Sequence, residues 1–286
     1  AGLTNVSILN NEIYSYSAGI QLSGGSGHLL QGNVITGNSI GIVAAGDLSF
    51  VAHGNAISGN LTAGILFADA GPLTATLSGA QGNANTFFNN GINITVTAPY
   101  NQPDVNAYWN NWGVSPFSNV GATIYHHANN PGLKKVDYFT LTATVAPTQA
   151  LADGLSAVTA TVSITGFVGS GTGSVISLTS SGPATVPPTI TTGSNGNATL
   201  PITSAIAGVK TITATINGEV AVVTATFQAL PEVQFESSNL SVNENAGPAV
   251  VTATLSGPSA FAVTVNITTS DGTASRLSDY AAVSAT

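Results

Sequence analysis

The first 140 residues repeat a pattern of apolar and small polar positions rather than a helical one. Aligned one under another, "SILNNEIYSYSAGIQL" from Ser7, "LLQGNVITGNSIGIVA" from Leu29, "VAHGNAISGNLTAGILF" from Val51 and "AQGNANTFFNNGINITV" from Ala80 each carry Asn, a short apolar stretch, a Gly/Asn/Ser turn and a second apolar stretch. Asn11, Asn33 and Asn55 are 22 residues apart, and Gly19, Gly41 and Gly64 are 22 and 23 apart. Gly91 follows after 27, which predicts an insertion in the coil before it. Short β-branched runs between Gly and Asn disfavour helix. A repeat of this length predicts parallel coils whose strands stack ~4.8 Å apart. The inward columns are then Ile8, Leu30 and Ala52; Ile13, Ile35 and Ile57; and Ile20, Ile42 and Ile65. The recurring Asn suits an inward turn, where an amide donates to one neighbouring coil and accepts from the other. A lone coil buries too little to offset its ordering entropy, so both ends need a cover, and further coils or a partner are expected before Ala1.

The pattern changes twice. Trp109, Trp112, Phe117, Tyr125, Tyr138 and Phe139 form an aromatic cluster fit to plug the end of the coil core near residue 140. Residues 141–230 alternate apolar and polar with Gly, Asn and Pro turns, as in "LTATVAPTQALADGLSAVTATVSITG", which predicts an antiparallel sandwich. Residues 231–286 begin a third module, with short linkers expected at Thr144–Pro147 and Ala229–Pro231.

These segments resemble known families. The Asn-rich coils closed by "NNWG" are similar to the right-handed β-helices of the pectate-lyase-like superfamily, especially its NosD-like copper-periplasmic repeats, over residues 1–140. "ADG" at Ala152–Gly154, "SNGNAT" at Ser194–Thr199 and "AGVKTITATING" at Ala207–Gly218 resemble invasin/intimin-type bacterial Ig-like domains. "SVNENAG" at Ser241–Gly247 with "TSDGTASRLSDY" at Thr269–Tyr280 resembles a Calx-β domain. Such a sandwich takes about 100 residues, so residues 231–286 are expected to be partial, with missing strands supplied by later residues or a neighbouring chain. The expected fold is all-β: a right-handed parallel β-helix followed by Ig-like β-sandwich modules. The resemblance implies a structural or adhesive protein, secreted or on a bacterial cell surface, a stalk or filament subunit able to self-associate or to meet a surface glycan.

Composition narrows the chemistry. Charged residues are 6% of the chain, with twelve carboxylates against Lys134, Lys135, Lys210 and Arg276. Scattered cations exclude nucleic acid, whose phosphates need clustered positive charge, and an anionic membrane surface for the same reason. No apolar run is long enough to insert in a membrane. With no Cys, disulfides, thiolate metal sites and a catalytic thiol are excluded.

Four sites remain. In calcium-binding Calx-β domains the Glu of the "ENAG"-like loop and the Asp of "SDY" are ligands, which the resemblance places at Glu244 and Asp279, with Ca²⁺ as candidate cofactor. Asp271 reads as a turn residue. Asp47 and Asp69 fall in nearly the same register on adjacent coils and would be the acid/base pair of the alternative reading, a carbohydrate-active or carbohydrate-binding β-helix. A lyase of that kind also needs a basic residue, and no Lys or Arg precedes Lys134. His28, His53, His126 and His127 lack metal-ligand spacing. Tyr14, Tyr16, Phe67, Phe87 and Phe88 are candidates for stacking on sugar rings or for packing. Lys210 reads as exposed. No catalytic residue is assigned, and the chain is expected not to be an enzyme.

Overall fold

A computed structural model describes residues 2–68, 71–78, 80–99, 103–243, 247–257, 259, 262–276 and 278–285. The expected coils are present. Each winds through three strand positions, and strands at one position pair in parallel up the axis. One face carries Glu12–Tyr14, Val34–Thr36, Ala56–Ser58 and Thr86–Phe88. The other two run through the long bent strands Ala18–Gln31 and Ile40–His53. In the next coil these positions separate into Ala63–Phe67 and Leu73–Leu77.

All three predicted columns exist and extend further. Ile8 pairs with Leu30, Leu30 with Ala52 and Ala52 with Leu77. Ile13, Ile35 and Ile57 continue to Phe87. Ile20, Ile42 and Ile65 continue to Ile94 and Ile124. Leu30, Ile35, Ile42, Ile57 and Ile65 have no exposed surface. Alternation does this: each inward residue sits between two outward ones.

Asparagine ladders lock the corners. Asn11, Asn33, Asn55, Asn85 and Asn110 form the first. A second, at Asn38, Asn60 and Asn90, was not foreseen. Within a rung every group is used: Asn33 Nδ2 donates to Asn55 Oδ1 (2.9 Å) and to Ile8 O (2.8 Å), and Asn55 Oδ1 also accepts the Asn33 backbone N–H (2.9 Å). A buried amide so paired avoids the penalty of an orphaned polar group. The coil with the insertion lengthens the step between rungs from 22 to 30 residues. Gly91 is not the register partner of Gly64, because Ile65 pairs with Ile94 and so places Asn93 beside Gly64. Gly41 recurs for a steric reason: a Cβ there would lie 2.5 Å from Gly64 O, on the neighbouring coil.

The following module is a sandwich of two sheets. Thr140–Ala146, Val158–Thr165 and Asn197–Ile202 form one. Gln149–Leu151, Glu219–Gln228, Gly208–Ile216, Val175–Ser180 and Thr189–Thr191 form the other. Val158, Ala160, Val162, Ile212 and Ala214 fill the space between. Two expectations fail here. Thr144–Ala146 is the end of a strand, with Thr144 opposite Thr161, and so is not a linker. Lys210 is not exposed: it takes an inward position in line with Ile212 and Ala214 and is buried.

Beyond residue 231, two short antiparallel pairs are described, Val233–Phe235 with Ala253–Leu255 and Ile267–Thr268 with Ser284–Ala285. Val242, Val250, Val251 and Leu255 are exposed there.

Candidate functional site

The densest set of interactions outside the coil columns lies where the β-helix meets the first sandwich. Trp112 stacks on Phe87 at 4.9 Å and 11°, closing the Ile13 column with an indole. Phe117 stacks on Phe167 of the sandwich at 3.9 Å and meets Phe139 edge-on at 5.2 Å. The backbone continues the pattern. Val168 N–H donates to Asn110 O (3.0 Å), Trp109 N–H to Gly166 O (2.6 Å), and Asn111 bridges in parallel to both Thr86 and Val168. A sandwich loop therefore adds a further rung to the coil face that begins at Glu12–Tyr14. Polar contacts add to the seam: Lys135 Nζ bonds Asp137 (2.9 Å) and Glu219 of the sandwich (2.7 Å), and Asn217 Nδ2 donates to Phe117 O (3.3 Å). Burial acts against the Lys135 charge, but the two carboxylates outweigh it and raise its pKa. A cleft of about 290 Å³ remains at this seam, lined by Trp112, Ser115, Phe117, Phe167 and Ser170, and among the described residues the buried Trp112 Nε1–H has no hydrogen-bond partner.

Two titratable groups are built into the cap. Lys134 has no exposed surface, and its Nζ donates to Leu73 O (2.8 Å) and Pro103 O (2.6 Å), tying together two coils. Burial lowers its pKa to about 8. Sequence reasoning missed this lysine, although period-two alternation places it on the same face as buried Val136. His126 Nδ1 accepts the Val136 N–H at 3.0 Å. Burial, then the nearby charge of Lys135, lowers its pKa to about 4.

The remaining candidates are placed as follows. Asp47 is exposed and lines a groove of about 590 Å³ with Ser23, Ser49 and Thr74. Leu48 pairs with Leu73, so the register neighbour of Asp47 is Pro72. Asp69 lies outside the described residues, as does Glu244. Asp279 Oδ2 accepts the Ser275 N–H (2.8 Å), and Asp271 Oδ1 accepts from Arg276 N (2.8 Å) and Tyr280 Oη (2.6 Å). Both carboxylates are thus turned into their own loop, and among the described residues no group of three or more His, Asp or Glu could hold a metal ion. These donors do not by themselves fit Ca²⁺, which takes six to eight oxygens. His28 is buried, with Nδ1 accepting from Val6 N (3.3 Å). Phe67 and Phe87 are core, whereas Tyr14, Tyr16 and Phe88 are exposed. Among the described residues no helix is long and apolar enough to cross a membrane.

Parallel rungs, ladders and inward columns agree with a comparison against protein families. Residues 2–134 match the model of a right handed beta helix region. Residues 228–286 match the Calx-beta domain. No curated protein matches the chain. Among solved structures, the chain is similar to invasin, a bacterial integrin-binding protein, at 26% identity over 41% of this chain and 25% of that one, with a TM-score of 0.30. It is similar to the D00-D0 domain of intimin at 24% identity, over 31% of this chain and 46% of that one, TM-score 0.27. A C-terminal 282-residue fragment of intimin in complex with the translocated intimin receptor's intimin-binding domain matches at 20% identity, over 42% and 47%, TM-score 0.31. The chain spans about half the length of the intimin chains and a quarter of the invasin chain.

Proposed function

We propose that this chain is a stiff segment of a secreted or surface-displayed bacterial protein with a structural or adhesive role, a stalk or filament component rather than an enzyme. The observation that supports this reading most is the seam: a sandwich loop completes the β-helix sheet through Val168 and Asn110 while Phe167 packs on Phe117. Continuity of sheet and core across two modules makes a lever, which a stalk needs and a catalytic domain on a flexible tether does not. The sparse charge and uncharged Thr, Ser and Asn surface suit such a spacer. Display of the intact protein on a cell that does not adhere tests the role: adhesion or filament formation is expected, and bare, non-adherent, filament-free cells would dismiss it. Self-association is read from sedimentation of the intact protein, where only monomer would count against a filament subunit.

The groove holding Asp47 supports a second reading, a carbohydrate-active β-helix. Reducing-sugar and unsaturated-uronate assays on pectin, alginate and peptidoglycan decide it, and silence on all three removes it. The Calx-beta match adds the proposal that Glu244 and Asp279 ligate Ca²⁺ together with further oxygen donors. A calorimetric titration of the intact protein with no heat and no change in melting temperature would dispose of that pair.

A further inference from the structure

The coil face that begins at Glu12–Tyr14 exposes an aromatic side chain on its first and fourth rungs. Tyr14, Thr36, Ser58 and Phe88 occupy one register column, since Tyr14 pairs with Thr36, Thr36 with Ser58 and Ser58 with Phe88. Their neighbours Ile35, Ile57 and Phe87 are buried, so this column points outward. Tyr14 is 56% exposed and Phe88 52% exposed. Between these two rings lies a floor of small side chains, Thr36 and Ser58, whose hydroxyls share a 3.3 Å hydrogen bond, beside Val34 and Ala56. Three rungs separate the rings, about 14 Å along the axis. Tyr16, 63% exposed, extends the aromatic end. Of the eight residues on this outer surface only Glu12 is charged.

Two half-exposed rings in one register column, with a hydroxylated floor between them, form a surface on which a sugar ring can stack. The pattern selects its occupant. A sugar ring offers an apolar face to a flat aromatic and hydroxyls to Thr and Ser. A short run of rings spans the distance between Tyr14 and Phe88. An apolar peptide would leave the hydroxyl floor without a matching partner. A polyanionic glycan would meet no cation here and would be repelled by a chain of net charge −8. We infer that the outer face of the β-helix between Tyr14 and Phe88 is a binding platform for a neutral glycan, lying along the coil axis with its rings stacked on Tyr14 and Phe88. The inference rests on the reading of the chain as an exposed surface element and adds the class of its partner.

Affinity electrophoresis of the intact protein through gels containing mannan, dextran, xylan or hydroxyethyl cellulose tests it, with polygalacturonate as the anionic comparison. Retardation by at least one neutral polysaccharide is expected. Tyr14→Ala and Phe88→Ala should each weaken it about threefold to tenfold, the loss of one aromatic stacking contact. The double variant should migrate as if no glycan were present, while Tyr14→Phe keeps binding. All variants should melt with the wild-type protein, because both rings are exposed. Indifference to every neutral polysaccharide, full retention by the double variant, or equal retardation by polygalacturonate would overturn the proposal. Cells displaying the protein separate the two ideas. Adhesion that persists in the double variant refutes the glycan platform and leaves the adhesive reading standing, whereas absence of adhesion by the wild-type protein refutes the adhesive reading itself.

Discussion

Replacing Asn55 by Ala isolates what an asparagine ladder contributes. Asn55 is 1% exposed and sits in mid-ladder. Its Oδ1 accepts from Asn33 N (2.9 Å) and Asn33 Nδ2 (2.9 Å), and its Nδ2 donates to Leu30 O (2.9 Å), His53 O (3.1 Å) and Asn85 Oδ1 (2.8 Å). Alanine removes these and leaves the Asn33 backbone N–H and one Asn33 amide hydrogen without an acceptor in the dry core, while the other amide hydrogen keeps Ile8 O. Each net hydrogen bond is worth about 1 kcal/mol, and each buried orphan costs about 1–3 kcal/mol. Several of these groups are lost together, so the sum is about 4 kcal/mol, a large part of a domain's stability. Asn11→Ala is the control. Asn11 is exposed, and its amide bonds Leu9 O (3.0 Å) and Asn33 Oδ1 (3.2 Å), which solvent can replace. That change should cost less than about 1 kcal/mol. Asn55→Asp should be at least as damaging as Asn55→Ala, because acceptors would then face the acceptors Leu30 O and Asn85 Oδ1. Urea denaturation of the three variants, followed by circular dichroism, measures this. Equal midpoints for Asn55→Ala and Asn11→Ala would refute the reasoning.

Further outcomes follow from the cap and the coil contacts. His126 has a folded pKa of about 4 against 6.5 when unfolded. The unfolded chain thus binds more protons between these values, and stability should fall by up to about 3 kcal/mol as the pH drops through that window. His126→Gln should flatten the profile measured by denaturant melts from pH 4 to 7. Lys134, with a folded pKa of about 8 against 10.5, has the same sign in a different window, so stability should rise between pH 8 and 10.5, and Lys134→Met should remove that rise. Gly41→Ala drives a Cβ to within 2.5 Å of Gly64 O, whereas Gly82 has open space around it. Thermal melts should show a loss of about 2 kcal/mol or more for the first and little change for Gly82→Ala.

Much of the β-helix was legible because its determinants repeat. Ile13, Ile35 and Ile57 stand at one spacing, and a column of inward residues leaves that mark on any chain that winds with a fixed period. The first ladder was visible at Asn11, Asn33 and Asn55 for the same reason. Its continuation to Asn85 and Asn110 was hidden by the longer coil, which shifts the step, and the second ladder was masked because Tyr16 stands where an Asn would have begun it. The burials of Lys134 and Lys210 run against charge, and only strict alternation hints at them. The seam left no signal: Val168 reaches Asn110 across a distance in sequence that carries no periodicity, and a bond to a backbone carbonyl makes no demand on residue type. The exposed pair Tyr14 and Phe88 was visible as aromatics, but their common column required the register of four coils.

The central claim is that β-helix and first sandwich move as one body. The chain has no Cys, so two can be introduced without background, at Leu61 on the coils and Leu155 on the sandwich, which are 80% and 86% exposed. Pulsed electron–electron resonance between spin labels at Leu61→Cys and Leu155→Cys reads the distance distribution between the modules. A single narrow distribution that broadens in Val168→Pro, where the N–H to Asn110 O is gone, is the predicted result. A broad distribution in the otherwise wild-type protein would contradict the account.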